Sequence, residues 1–193
     1  MVFYGKIKGE YVSQYWRGNV YEPKWSKAKK HLKSFLSPSL KNKVDYQIIN
    51  YRKAHDRLGR AVITVDKKEI WNMCTITAEI AHVRKERAII RTSAEVYDID
   101  SPNKRWDLAH EQIKGEGIFA QYDFFDALQE YYSTPINVSL QSSNILIKIL
   151  GLMDRRVGKR TLIRLNGSFQ TESELVQLFY KLRCEAEGIK VYK

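Results

Sequence analysis

The chain has 193 residues, 44% of them hydrophobic and 28% charged, with a formal net charge of +11 at pH 7. That length fits one domain with or without an extension, and the apolar share is enough for a real core. No apolar run approaches the roughly 20 residues of a membrane-spanning helix, since the longest, "ILIKIL", is interrupted by Lys148; no apolar signal region opens the chain, so cytoplasmic residence is expected.

Residues 1–23, rich in Tyr, Gly and polar residues and closed by Pro23, read as an N-terminal extension, and 24–193 as a single domain. "KWSKAKKHLKSFL" predicts an amphipathic basic helix, because Trp25, Ala28, Leu32, Phe35 and Leu36 recur at three- and four-residue spacing. Pro38 ends it. "VDYQIINYRK", "RAVITVD" and "EIWNM" predict a small antiparallel meander over 44–73. "AHDRLG" is its projecting connection, with Asp56 and Gly59 as turn residues. Ile76, Ile80, Val83 and Ile90 form a helical stripe that predicts a buried face. From Pro102 onward five helical stretches follow, over 103–117, 119–132, 136–154, 155–165 and 172–188. Asn166-Gly167 is expected to separate the last two, and Thr171 with Glu174 to cap the final helix. The fold class is therefore α+β: a basic N-terminal helix, a meander and a helical C-terminal half.

The charge is uneven. Residues 24–60 hold eleven Lys or Arg against two Asp. A concentrated basic region is the electrostatic footprint of a protein that meets phosphate backbones or acidic partners.

Several stretches, taken in order, resemble a family of uncharacterised bacterial proteins: "YRKAHDRLGR" (51–60), "NMC" (72–74), "GIFAQYDFFDAL" (117–128), "MDRRVGKRTL" (153–162) and "FYKLRCEAEG" (179–188). The resemblance spans about residues 25–188 and implies no established activity and no catalytic residue. This chain departs from the family's pattern at its first 23 residues, over 78–105, at Val62, where an aromatic is common, and at "DKKEI", which usually reads "DGKEI".

Five groups of residues carry candidate chemistry. At the hairpin tip, His55 titrates near neutral pH, Asp56 is placed to orient it or to close the turn, and Arg52, Lys53, Arg57 and Arg60 suit phosphate. His and Arg without metal are the minimum kit for RNA cleavage, with His31 as the second histidine. Asp154, Arg155 and Arg156, with Arg183, Glu185 and Glu187, suit an ion-pair network between helices. Alternatively Arg155, Arg156, Lys159 and Arg160 extend the basic surface formed by Lys24, Lys27 and Lys30. Glu79/His82 and Asp107/His110 repeat an acid-x-x-His spacing that, with two further carboxylates such as Asp123 and Asp126, builds di-iron sites in some bundles. Glu79 and His82 lie off the Ile76/Ile80/Val83 stripe, however, so they are expected to face water. Cys74 and Cys184 are expected to be reduced, buried, structural thiols. Trp16, Trp25, Trp71 and Trp106 are spread along the chain, and Tyr51 beside Arg52 suits base stacking. Phosphate-loop, dinucleotide and zinc-protease motifs do not occur, so neither cofactor nor metal is expected.

The leading expectation is a non-enzymatic binding module whose basic helix-hairpin face (24–60) contacts nucleic acid or another anionic partner, with no membrane partner. The alternatives are an immunity-type protein that neutralises an acidic protein and a metal-independent nuclease or hydrolase using His55.

Overall fold

A computed structural model describes residues 25–51, 58–92 and 102–190. The N-terminal extension, Lys24, and the tip residues Arg52, Lys53, His55, Asp56 and Arg57 lie outside the described residues.

The architecture is α+β with a helical C-terminal half. Helix α1 (Trp25–Phe35) buries Ala28 and Leu32, as its stripe requires. It stops where Leu36 forms an isolated bridge with Asp154, and a short 3-10 turn, Pro38–Leu40, leads into the sheet. Strands β1 (Val44–Asn50), β2 (Gly59–Val65) and β3 (Lys68–Cys74) form an antiparallel meander in that order. Val44 faces Val65 and Asn50 faces Gly59 across the first pair. Ile63 faces Trp71 across the second, where the register shifts after Ile63. Alternation then sends Tyr46, Ala61, Ile63, Trp71 and Met73 into the core. Asp66 and Lys67, both at positive φ (47° and 67°), make the tight reversal between β2 and β3.

Helices α2 (Thr75–Thr92) and α3 (Pro102–Gly115) pack as a pair. They are followed by α4 (Gln121–Ser133), α5 (Ile136–Gln141), α6 (Ile145–Met153), α7 (Lys159–Phe169) and α8 (Glu174–Ala186). Helix α6 is buried on every side from Leu146 to Met153, so it is the central helix of the core. Lys148, caught in that helix, reaches Glu172 at 2.5 Å.

Five sequence-based expectations need correction. The Ile stripe of α2 faces outward: Ile76, Ile80 and Ile90 are 40%, 51% and 46% exposed. The face that packs carries Ala78, His82 and Ile89 instead, because α3 covers that side. The run 136–154 is two helices, since the Asn144 side chain caps α6 by accepting from Leu146 N at 3.0 Å. "RRV" is a turn, and α7 begins at Lys159 and continues through Asn166 and Gly167. Thr171 spends its hydroxyl on Ser168 O, and Ser173 is the N-cap of α8.

Candidate functional site

Helix α4 carries a series of contacts that joins the basic segments. Its first residue, Gln121, is buried and donates through Nε2 to Asn50 Oδ1 (3.1 Å) and Arg60 O (3.4 Å), which fastens the root of the hairpin tip. Gly59 is required there: a Cβ would lie 2.5 Å from Ile49 O and 2.8 Å from Gln121 Nε2. One turn along, Trp25 of α1 packs edge-on against Phe124 and Phe125, with centroids 6.2 Å away in each case. In the last turn, Tyr132 meets His31 (4.5 Å) and Phe35 (5.9 Å). Tyr131 beside it donates a short hydrogen bond to Asp154. From Gln121 to Tyr132 is about 16 Å at the helical rise.

The far end of this series is a polar junction. Asp154 is 1% exposed. It accepts from Tyr131 Oη, from Arg156 N (2.7 Å), and from Arg156 Nε and Nη2 (2.9 and 2.6 Å). The Arg156 guanidinium lies 4.8 Å over the Phe35 ring, a cation–π contact. Burial, with the carboxylate beside it, pushes the Tyr131 hydroxyl above its ordinary range and keeps it a donor. Backbone bonds stitch the turn to the end of α1: Arg155 N to Phe35 O at 2.7 Å and Ser37 N to Met153 O at 2.9 Å. From below, the buried Arg183 donates to Leu152 O (3.2 Å), Asp154 O (3.0 Å) and Val157 O (2.7 Å). Its Nε lies 3.2 Å from Glu187 Oε1, an ion-pair contact without hydrogen-bond alignment. Glu187 also accepts from Ser37 and Ser39 (2.9 and 2.7 Å).

The expected ion-pair network is therefore present in part: Asp154 pairs with Arg156 and Arg183 with Glu187, while Arg155 and Glu185 point to solvent. Lys27 and Lys30 are exposed on α1, and Lys159 and Arg160 at the start of α7. Lys29 and Lys33 are turned toward β1, where both reach Asp45 (2.8 and 3.1 Å). Arg60 closes its fork on Glu69, with both bonds at 2.9 Å.

Two clusters behave differently from expectation. His82 does not face water: it is 7% exposed, and its Nε2 donates to Trp106 O at 3.0 Å because α3 packs over it. His110, also buried, stacks on Trp106 (4.7 Å) and bonds through Nε2 to Asp123 Oδ1 at 2.9 Å. Asp123 Oδ2 accepts from Ala120 N (2.7 Å), the reverse half of a capping box at the start of α4. The buried His110 Nδ1 has no hydrogen-bond partner among the described residues. Among the described residues no group of three or more ligating side chains converges as a metal site would require.

Cys184 is buried, but Cys74 is only half-buried, at the foot of α2. Burial alone would raise its thiol. Hydrogen bonds from the Tyr51 hydroxyl (3.3 Å), from Thr77 and from Ile76 N outweigh that and hold it below the ordinary range. This contact was hidden in sequence by the strand register that brings Tyr51 beside Cys74.

The SF0329 protein family matches residues 24–184, and the chain belongs to that family. No curated protein and no solved structure matches it.

Proposed function

We propose that this SF0329 family member is a non-enzymatic binding module that holds nucleic acid along the edge organised by α1, α4 and the turn after α6. The observation that carries this reading is the series of contacts on α4. It ties the root of the basic hairpin tip, the basic helix α1 and the Arg155–Arg160 segment to one helix over about 16 Å. Lys27 and Lys30 on α1, and Arg155, Lys159 and Arg160 after α6, are exposed. Cations spaced over that length match several phosphates of one strand, and the net charge of +11 favours their approach.

Fluorescence anisotropy with labelled RNA and DNA tests the reading. Binding is expected at about 50 mM salt and is expected to weaken steeply toward about 200 mM, as counterion release requires. Reversing Lys27, Lys30 and Arg155 to Glu is expected to flatten the salt slope. Absence of binding to either polymer at the lower salt would overturn it.

A further inference from the structure

The basic edge contains a ring platform that charge alone does not call for. His31 is exposed on α1, tilted 39° against Tyr132 with centroids 4.5 Å away, and meets Phe35 edge-on at 5.0 Å. Phe35 and Tyr132 are themselves stacked, 27° from parallel. The rings are held from several sides. The Tyr132 hydroxyl donates to Ala28 O at 3.3 Å, and Phe35 is covered by the Arg156 guanidinium that Asp154 fixes. The outermost ring is thus an exposed imidazole backed by two ordered rings. Lys27, one turn before His31, and Lys30 share its exposed surface of α1, and Arg155 stands at the end of the same helix.

From this arrangement we infer that the edge takes single-stranded nucleic acid, with an unpaired base lying on His31 and its flanking phosphates on Lys27, Lys30 and Arg155. The inference rests on the nucleic-acid reading above and narrows it. A duplex offers phosphates but keeps its base faces stacked inside, so the imidazole gains nothing from it. An unpaired base offers a face, and stacking on an aromatic side chain tolerates any base. Rings already ordered lose little freedom on binding, which favours the contact further.

The test compares a short oligonucleotide of mixed sequence, made as RNA and as DNA, with its duplex and with an abasic strand of equal length. Polyglutamate serves as the protein-like polyanion. The intact single strand is expected to bind tightest, roughly tenfold above the abasic strand. His31→Ala is expected to bring the intact strand down to the abasic value and to leave duplex and abasic binding unchanged. His31 is exposed, so this variant is expected to keep the fold, which circular dichroism checks. Should the abasic strand or the duplex bind as tightly as the intact strand, the base platform is overturned while nucleic-acid binding stands. If polyglutamate binds and no nucleic acid does, both readings fall and an acidic protein is the partner.

Discussion

A buried polar cluster lies at each end of α4, and the two are built on opposite terms. At the Asp154 end, Arg183 and Arg156 place their guanidinium groups on carbonyls and carboxylates contributed by the turn after α6, and the end of α1 is bonded into the same turn. At the Asp123 end, one carboxylate serves both a helix start and an imidazole, and the second imidazole nitrogen is buried without a hydrogen-bond partner among the described residues. The first cluster is a tie of opposite charges, in which the Arg183 Nε lies against Glu187 at 3.2 Å without hydrogen-bond alignment. The second is held mainly by ring stacking, between Trp106 on one side and Tyr122 on the other. A buried arginine with no alternative partner is expensive to disturb. An imidazole held by its rings is cheaper to replace.

The largest effect is therefore expected at Arg183. Arg183→Met removes the guanidinium from three carbonyls and the positive charge beside Glu187 and is expected to cost about 3–5 kcal/mol, read from urea unfolding. Arg183→Lys is expected to recover only part, because an ammonium cannot present the planar fork. At the other end Asp123→Ala removes the acceptor of Ala120 N and strands His110, for about 1–3 kcal/mol. His110→Phe keeps the stack and is expected to cost less than Asp123→Ala. Equal losses would mean that the bond to Asp123, not ring stacking, holds His110, and the contrast between the two clusters would collapse.

Acid should separate the clusters as well. Burial by itself raises the Glu187 carboxyl, but hydrogen bonds from Ser39 and Ser37, with the Arg183 charge, hold it below its ordinary value of 4.5. A carboxyl lowered in the folded state stabilises at pH above its unfolded value, and that contribution is lost as pH falls through the folded value. Stability is expected to fall as pH drops below 4.5, and Glu187→Gln is expected to flatten that part of the curve. A pH profile unchanged by this substitution would remove Glu187 from the tie.

The meander and the helical half were legible in the sequence because strand alternation and helical spacing are local. The Asp154 network was partly legible too, since an Asp and Arg run and an Arg/Glu helix in one small domain need partners. What the sequence hid depends on distant packing. The Ile76/Ile80/Ile90 stripe has helical spacing, yet the smaller Ala78 face lets α3 approach, so the stripe stays outside and His82 goes in. The ring platform needs residues of α1, α4 and the turn at 156 to meet. Asn166-Gly167 looked like a stop, but nothing approaches Gly167 and the helix runs on.

The smallest effect asks whether the tied end of the sheet carries strain of its own. The Asp66-Lys67 reversal sits there, with Asp66 N bonded to Lys43 O at 2.8 Å, five residues after Pro38. Both turn residues occupy positive φ. Asp tolerates that conformation because its short polar side chain bonds locally, whereas Lys has no such compensation. Position 67 is also where the family's resemblance in sequence carries Gly. Lys67→Gly removes a Cβ penalty of about 1–2 kcal/mol but adds freedom to the unfolded chain, worth about 0.4–1 kcal/mol in the opposite direction. The net expectation is a gain of about 0.5–1 kcal/mol in urea unfolding, with a smaller gain from Asp66→Gly. A loss at position 67 would show that the Lys67 side chain contributes contacts that outweigh its backbone strain. The strain of the turn would then be offset by side-chain contacts at the tied end, much as ring stacking offsets the unpaired Nδ1 of His110 at the other.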